Sequence, residues 1–378
     1  MTTAPRALRR LLRTGRAPLT SFGIPFGLSG LAGTWTMAAG TLGTPGVVGD
    51  VLWVFALIVW VAVLANYLVR CRNDAGTIHS DLVDPVQGPF AALAPTTGML
   101  LGTHFATAVS AGSAAGHPPP GQSVGVPGVL VQGAVVAFMV AAAVFGAWSV
   151  AQLSQRMRDI DNLHAGYLLP TVAAAFIAGQ SAGTFGWTTL SVAAIGVGLL
   201  FWVLLGALIL GRMAFRPALP ARLLPTFAIF SAPPAVAGNA WFASNGGRLD
   251  TVETLLLGTF ALLILVQLVM LATYWRLSFD LGFWAFTFTA AASGTYALHW
   301  LELAATTTGA ADAGTGAGAG AGAGPIVSLW SAGAWLSGTA GVVVLAGVTL
   351  VIGSIAVRSA GHLVRAHRRS LLVLPART

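Results

Sequence analysis

Long apolar runs separated by short polar stretches divide the chain into ten segments, at approximately 21–40, 51–70, 90–112, 129–152, 167–183, 189–211, 223–243, 252–273, 280–302 and 330–357. Each comes near the about 20 residues that an α-helix needs to cross the hydrocarbon core of a bilayer. The pattern predicts an all-α polytopic membrane protein with ten transmembrane helices. Its expected organisation is a basic N-terminal tail at 1–20, a membrane domain at 21–357 and a basic C-terminal tail at 358–378. Ten spans leave no room for a large extramembrane domain, and the chain has no GxxxxGK[ST] phosphate loop.

Proline refines this picture. The even-numbered segments contain none, whereas the first, third, fifth and seventh contain Pro25, Pro95, Pro170, and Pro233 with Pro234. The ninth lacks proline but holds Gly282 and Gly294. A proline removes a backbone N–H and clashes with the preceding turn. In lipid the freed carbonyl costs several kcal/mol unless another group satisfies it. Weakened helices belong where they face protein or a water-filled space, so the alternation predicts five helical hairpins around a central pore. The kinked odd-numbered helices would line that pore and the regular even-numbered ones would form its outer wall. Gly23, Gly27, Gly30 and Gly33 would let the first helix approach a neighbour closely.

Composition agrees with the membrane reading. Hydrophobic residues make up 56% and charged residues 8%, against roughly 25% charged in an ordinary soluble domain. The net charge of +8 comes from arginine alone. In a membrane protein these arginines report topology, not nucleic-acid binding. With the N-terminus in the cytosol, 18 arginines fall on the cytosolic side and one, Arg248, on the other. That asymmetry predicts cytosolic termini at a plasma membrane. Residues 6–16 read equally well as a surface-lying helix or as a frayed tail. The stretch 113–128 and the Gly/Ala-rich stretch 309–324 read as external loops, and a lone Cys71 supports no disulfide.

The odd-numbered segments contain almost none of the ionisable side chains that a proton relay or a tight cation site would require. Helix N-termini and an arginine-rich cytosolic face favour anions. A pore without fixed charge binds anions weakly and passes them readily, which favours a channel over a coupled carrier. His104, nine residues past Pro95, is a candidate pore polar or pH-sensing group. His299 and Glu302 share a helix face, but two ligands do not make a metal site. The chain has no HExxH, no GxSxG and no intramembrane carboxylate pair, so neither an enzyme nor a metal or cofactor is expected.

Five stretches resemble one known family. They are Phe22-Gly23-Ile24-Pro25-Phe26-Gly27-Leu28-Ser29-Gly30-Leu31, Asp84-Pro85-Val86-Gln87-Gly88-Pro89-Phe90 with Ala94-Pro95-Thr96, Tyr167-Leu168-Leu169-Pro170, Ala232-Pro233-Pro234-Ala235-Val236 and Leu281-Gly282-Phe283-Trp284-Ala285-Phe286-Thr287-Phe288. In order and position they resemble the TehA family of tellurite-resistance and dicarboxylate transporters, also called the slow-type anion channel family. The resemblance implies ten helices in five hairpins around one pore per subunit, a homotrimer, and small inorganic anions or dicarboxylates as the transported species. It also implies that Phe288 occludes the pore. Thr289 departs from the family, whose members often carry glycine or proline there. The alternative function is a C4-dicarboxylate, tellurite or sulfite carrier, with or without coupling to protons.

Overall fold

The computed structural model describes residues 18–73, 76–112, 126–155, 159–312 and 334–372. The N-terminal tail, most of the 113–128 loop and of the Gly/Ala-rich stretch, and residues 373–378 lie outside the described residues. Among the described residues there is no β-strand. Among the described residues ten helices exceed ten residues: α1 (Gly23–Leu42), α2 (Gly46–Asn73), α3 (Leu93–Gly112), α4 (Val126–Gln155), α5 (Ala174–Thr184), α6 (Thr188–Phe215), α7 (Pro233–Asn245), α8 (Thr251–Tyr274), α9 (Ala285–Asp312) and α10 (Ala334–Leu372).

The two sets foreseen from proline differ in burial. Helices α2, α4, α6, α8 and α10 each contain a window long and apolar enough to cross a membrane, and only 6% to 28% of each window is buried within the chain. Leu, Val and Phe side chains stand outward on them, such as Val54, Phe55 and Leu265. A helix that is apolar all round without protein cover suits a lipid surround. Helices α1, α3, α5, α7 and α9 lie inside. Each contacts the next, and α9 returns to α1, so the five close a ring. Each also packs on the outer helix that follows it in sequence. Helix α10 runs to Leu372, past the expected end of the tenth segment.

The prolines that the sequence reads as kinks lie close to the starts of these inner helices. They stand in the first turn or just before it, where a missing N–H matters least. A 3₁₀ turn precedes each start: Leu19–Phe22, Gly88–Ala92, Ala165–Leu168, Leu224–Phe227 and Leu281–Trp284. In the fifth segment a π-helical turn, Leu169–Ala173, follows the 3₁₀ turn and contains Pro170. The carbonyl that each proline cannot reach, four residues back, is taken by an earlier N–H. Gly23 donates to Ser21, Leu93 to Ala91, Leu169 to Gly166, and Ala232 to Ile229. The five 3₁₀ turns also contact one another in a closed ring.

Hydroxyl groups satisfy other carbonyls at these junctions. Ser29 donates to Pro25 O at 2.8 Å, Thr96 to Ala92 O at 2.6 Å and Thr97 to Leu93 O at 2.7 Å. The Trp60 indole N–H, from α2, reaches Ala94 O at 3.0 Å. At the seventh segment the Ala232 N–H has turned to Ile229, and Ala228 O instead accepts from Ser231 at 2.8 Å and from Thr289 of α9 at 3.2 Å.

Within lipid, helices are held together by close packing and hydrogen bonds, because lipid tails are as apolar as the side chains they replace. Helix α1 meets α9 through glycine: Gly23 faces Trp284, Gly27 faces Thr287, and Gly30 faces Phe288 and Ala291. A Cβ on Gly27 would overlap the buried Thr287 hydroxyl, which itself donates to Trp284 O at 2.7 Å. Gly258, on the outer helix α8, has nothing within 4 Å of such a Cβ. The same substitution should therefore act oppositely at the two sites. Gly258→Ala is expected to leave thermal stability of the detergent-purified protein unchanged or raise it by up to about 1 kcal/mol through helix propensity. Gly27→Ala is expected to lower it by about 1–3 kcal/mol through overpacking. Equal melting temperatures for the two variants would refute the close α1–α9 approach.

Candidate functional site

The five inner segments enclose a cavity of about 60 Å³. All five contribute to its wall, among them Gly23 and Phe26 from the first, Phe90 and Leu93 from the third, Leu169 and Phe176 from the fifth, Pro233 and Val236 from the seventh, and Gly282, Phe288 and Thr289 from the ninth. The wall is almost wholly apolar and carries no charged side chain. Phe288 lies face to face with Phe26, their ring centroids 3.7 Å apart and their planes 17° from parallel. Phe26 is 4% exposed, and Phe288 is half-buried beside it.

The other expected site residues divide. Pro233 and Gly282 line the cavity with Phe288. Pro25 is buried in the first turn of α1, one residue from the stacked Phe26, and Pro95 lies in the first turn of α3. Pro234 is buried in α7. Pro170 lines a second, smaller cavity of about 20 Å³ with Gln152 and Thr171. Gly294 faces outward from the ring, where a Cβ would lie 2.6 Å from Val348 of α10. His104 is not in the cavity wall. Its ring stacks on Trp53 at 4.4 Å and meets Phe105 edge-on at 5.2 Å, between α3 and α2. His299 packs on Phe242 at 4.9 Å, and Glu302 is exposed.

The voltage-dependent anion channel family matches residues 16–343 of this chain. The chain belongs to that family. It is also similar to the tellurite resistance protein TehA homolog of Haemophilus influenzae, with 25% identity over 272 residues, covering 72% of this chain and 77% of the relative. Membership makes it a multi-pass membrane protein of an anion-transporting family, in agreement with its apolar helices.

Sequence reasoning missed three residues of this anion channel family member that the structure makes prominent. Phe26 stands in the stretch that carries the family resemblance, but nothing in a single sequence places it at the depth of Phe288. Glu253 is fully buried near the start of α8, where Oε2 accepts from the Tyr296 hydroxyl at 2.8 Å. A carboxyl three residues after a capping aspartate is an ordinary helix start in sequence, and nothing in that pattern marks it as buried.

His164 is the third. It precedes the fifth segment's 3₁₀ turn and is fully buried. Its Nδ1 accepts the Gly166 N–H at 3.1 Å, so the imidazole is neutral with its proton on Nε2. The ring lies against Phe90 and Tyr167. Burial pushes it down to about 4, only partly opposed by the carbonyls of Pro85 and Val86 and by the charge of Asp84. His164 thus binds the turn ahead of α3 to the turn ahead of α5. Nearby, Arg70 pairs with Asp81 at 2.6 Å, and Arg216 with Asp161 at 2.8 Å. The Arg216 guanidinium holds the exposed Asp161 carboxyl below its ordinary range.

A histidine whose folded value is depressed stabilises the fold fully above its unfolded value of 6.5. That stability is lost as pH falls from there through about 4. The full effect is about 3 kcal/mol. In His164→Asn, where the amide oxygen can accept the Gly166 N–H, the loss of melting temperature between pH 7 and pH 4 should be smaller than in the parent protein. Parallel pH–stability curves would show that His164 is not buried in its neutral form.

Proposed function

We propose that small anions cross the membrane through the cavity within the ring, and that Phe288 closed on Phe26 is its gate. The ten helices cross the bilayer as five hairpins, with the kinked or 3₁₀-led inner helices lining the path. The observation that carries this reading is the ring of five segments around an apolar, charge-free space, with two phenyl rings face to face in its wall.

The chemistry follows from the wall. A centroid separation of 3.7 Å leaves no space between the rings for a hydrated ion. Separating such a pair costs about 0.5–1.5 kcal/mol beyond lost area, and a phenyl group moves between staggered rotamers without moving its helix. The gate is therefore light. Beyond it, an uncharged wall holds no anion tightly, which suits flux that rises with concentration. The excess of arginine at one end of the helices supports cytosolic termini and a plasma-membrane setting. The family resemblance supports a homotrimer with one path per subunit.

A carrier of C4-dicarboxylates, tellurite or sulfite is the second reading. The name of the Haemophilus influenzae relative, a tellurite resistance protein, supports it. The two readings differ in kinetics, since a carrier saturates and, if coupled, follows a proton gradient.

For the purified protein in planar bilayers, Phe288→Ala should raise anion conductance at least about tenfold. Phe26→Ala should raise it as well, and the double variant should gain less than the product of the two, because each change removes the same contact. Unchanged conductance in both single variants would sink the gate assignment.

A further inference from the structure

An anion that leaves water for an apolar cavity needs hydrogen-bond donors in place of its hydration shell. The cavity wall offers few. Among its lining residues only Thr20, Trp284 and Thr289 carry a polar side-chain atom. The Trp284 indole N–H is already given to the Ser359 hydroxyl at 2.9 Å, and both groups are buried. Thr20 lies in the 3₁₀ turn ahead of α1, seven residues before the ring of glycine contacts reaches Thr287 through Gly27. Thr289 alone adjoins Phe288 in sequence.

The Thr289 hydroxyl is loosely held. It has a single proton and two acceptors, Ala228 O at 3.2 Å and Ala285 O at 3.3 Å, both long for an O–H donor. Ala228 O keeps the Ser231 hydroxyl at 2.8 Å if Thr289 turns away. Ala285 O is the i−4 carbonyl of the same helix and retains its place in the helical ladder. Threonine in a helix divides between two χ1 rotamers, so the turn needs no backbone movement. Thr287 makes the contrast, because its hydroxyl donates to Trp284 O at 2.7 Å and is closed in by Gly27.

We propose that Thr289 is the specificity-determining residue of the path: when Phe288 swings aside, the Thr289 hydroxyl leaves its carbonyls and donates to the passing anion. This assignment rests on the reading that anions use this cavity. Small, strongly hydrated anions such as chloride lose more on dehydration than large, weakly hydrated ones such as thiocyanate. A hydroxyl donor in the wall beside Phe288 therefore favours chloride, and its removal favours thiocyanate.

The test uses the full chain in planar bilayers with chloride on one side and thiocyanate on the other. Phe288→Ala supplies an open background, and reversal potentials give the permeability ratio. Adding Thr289→Val, which keeps shape but loses the hydroxyl, should lower chloride permeability relative to thiocyanate by about five- to tenfold, less than the tenfold or more that one hydrogen bond to a charged group is worth, because thiocyanate accepts such a bond too, though a weaker one. Thr289→Ala should do the same and serves if the valine variant does not fold. Thr289→Ser should restore the parent ratio. A ratio unchanged in both Thr289→Val and Thr289→Ala, or a serine variant that behaves like valine, overturns the assignment. Equal changes in both anions at a constant ratio overturn it too, since the hydroxyl would then only hold α9 to the seventh segment. Folded Phe288→Ala that passes neither anion overturns the pore reading itself, and this assignment with it.

Discussion

Much of this structure follows from one constraint: a backbone carbonyl at membrane depth must find a donor within the protein. Proline makes that demand sharper at four of the five inner segments. The chain answers by beginning each of them with a 3₁₀ turn, and an N–H just ahead of each helix takes the carbonyl that Pro25, Pro95, Pro170 or Pro233 leaves. Hydroxyls from Ser29, Thr96, Thr97 and Ser231 cover neighbouring carbonyls. The 3₁₀ turns, being tighter than α-helix, sit side by side in a ring of their own. The result is an inner wall in which polar backbone is already satisfied, so an apolar lining can face the cavity without stranded groups behind it.

Helix α9 gathers the constraints that reach Phe288, the proposed gate. It is held to α1 by the glycine face, to α7 by Asn239 donating to Ala292 O at 3.0 Å, and to α8 by Tyr296 on Glu253. Trp284, just ahead of α9, ties it to α10 through Ser359. Such a helix does not move cheaply, because interfaces of this kind resist small displacements. The phenyl group of Phe288 is held far less firmly. In the proposed pore, opening is therefore a side-chain event on a fixed helix, not a helix swing.

The sequence made the two layers readable because they differ in composition. Uninterrupted apolar runs marked the outer helices, and proline marked four of the inner ones; the structure adds that these prolines lie near the helix starts. The glycines of the first segment were read as sites of close approach, and Gly23, Gly27 and Gly30 do face α9. What escaped were relations across segments. The pairing of Phe26 with Phe288 depends on the relative depth of two helices far apart in the chain, and periodicity within either says nothing about it. His104 was singled out as a polar group in an inner segment, but it faces Trp53 and not the cavity, because helix rotation was not fixed by the pattern. His164 was passed over because a loop histidine ordinarily meets water.

The weakness of a single aromatic contact bears on how such a gate stays shut. A stack worth about 1 kcal/mol shifts an equilibrium by only about five- to sixfold. Two rings alone would leave the path open a sizeable fraction of the time. Gly30 supplies what the stack lacks. A Cβ at Gly30 would lie 3.1 Å from the Phe288 ring, so the missing side chain forms a seat into which the ring fits. Closure is thus a matter of shape as much as of attraction: Phe26 covers one face of the ring, and the bare backbone of α1 receives its edge. Phe288, Gly23 and Trp284 belong both to the cavity wall and to the approach of α1 to α9. The close helix contact required by packing would also give the proposed gate its stop.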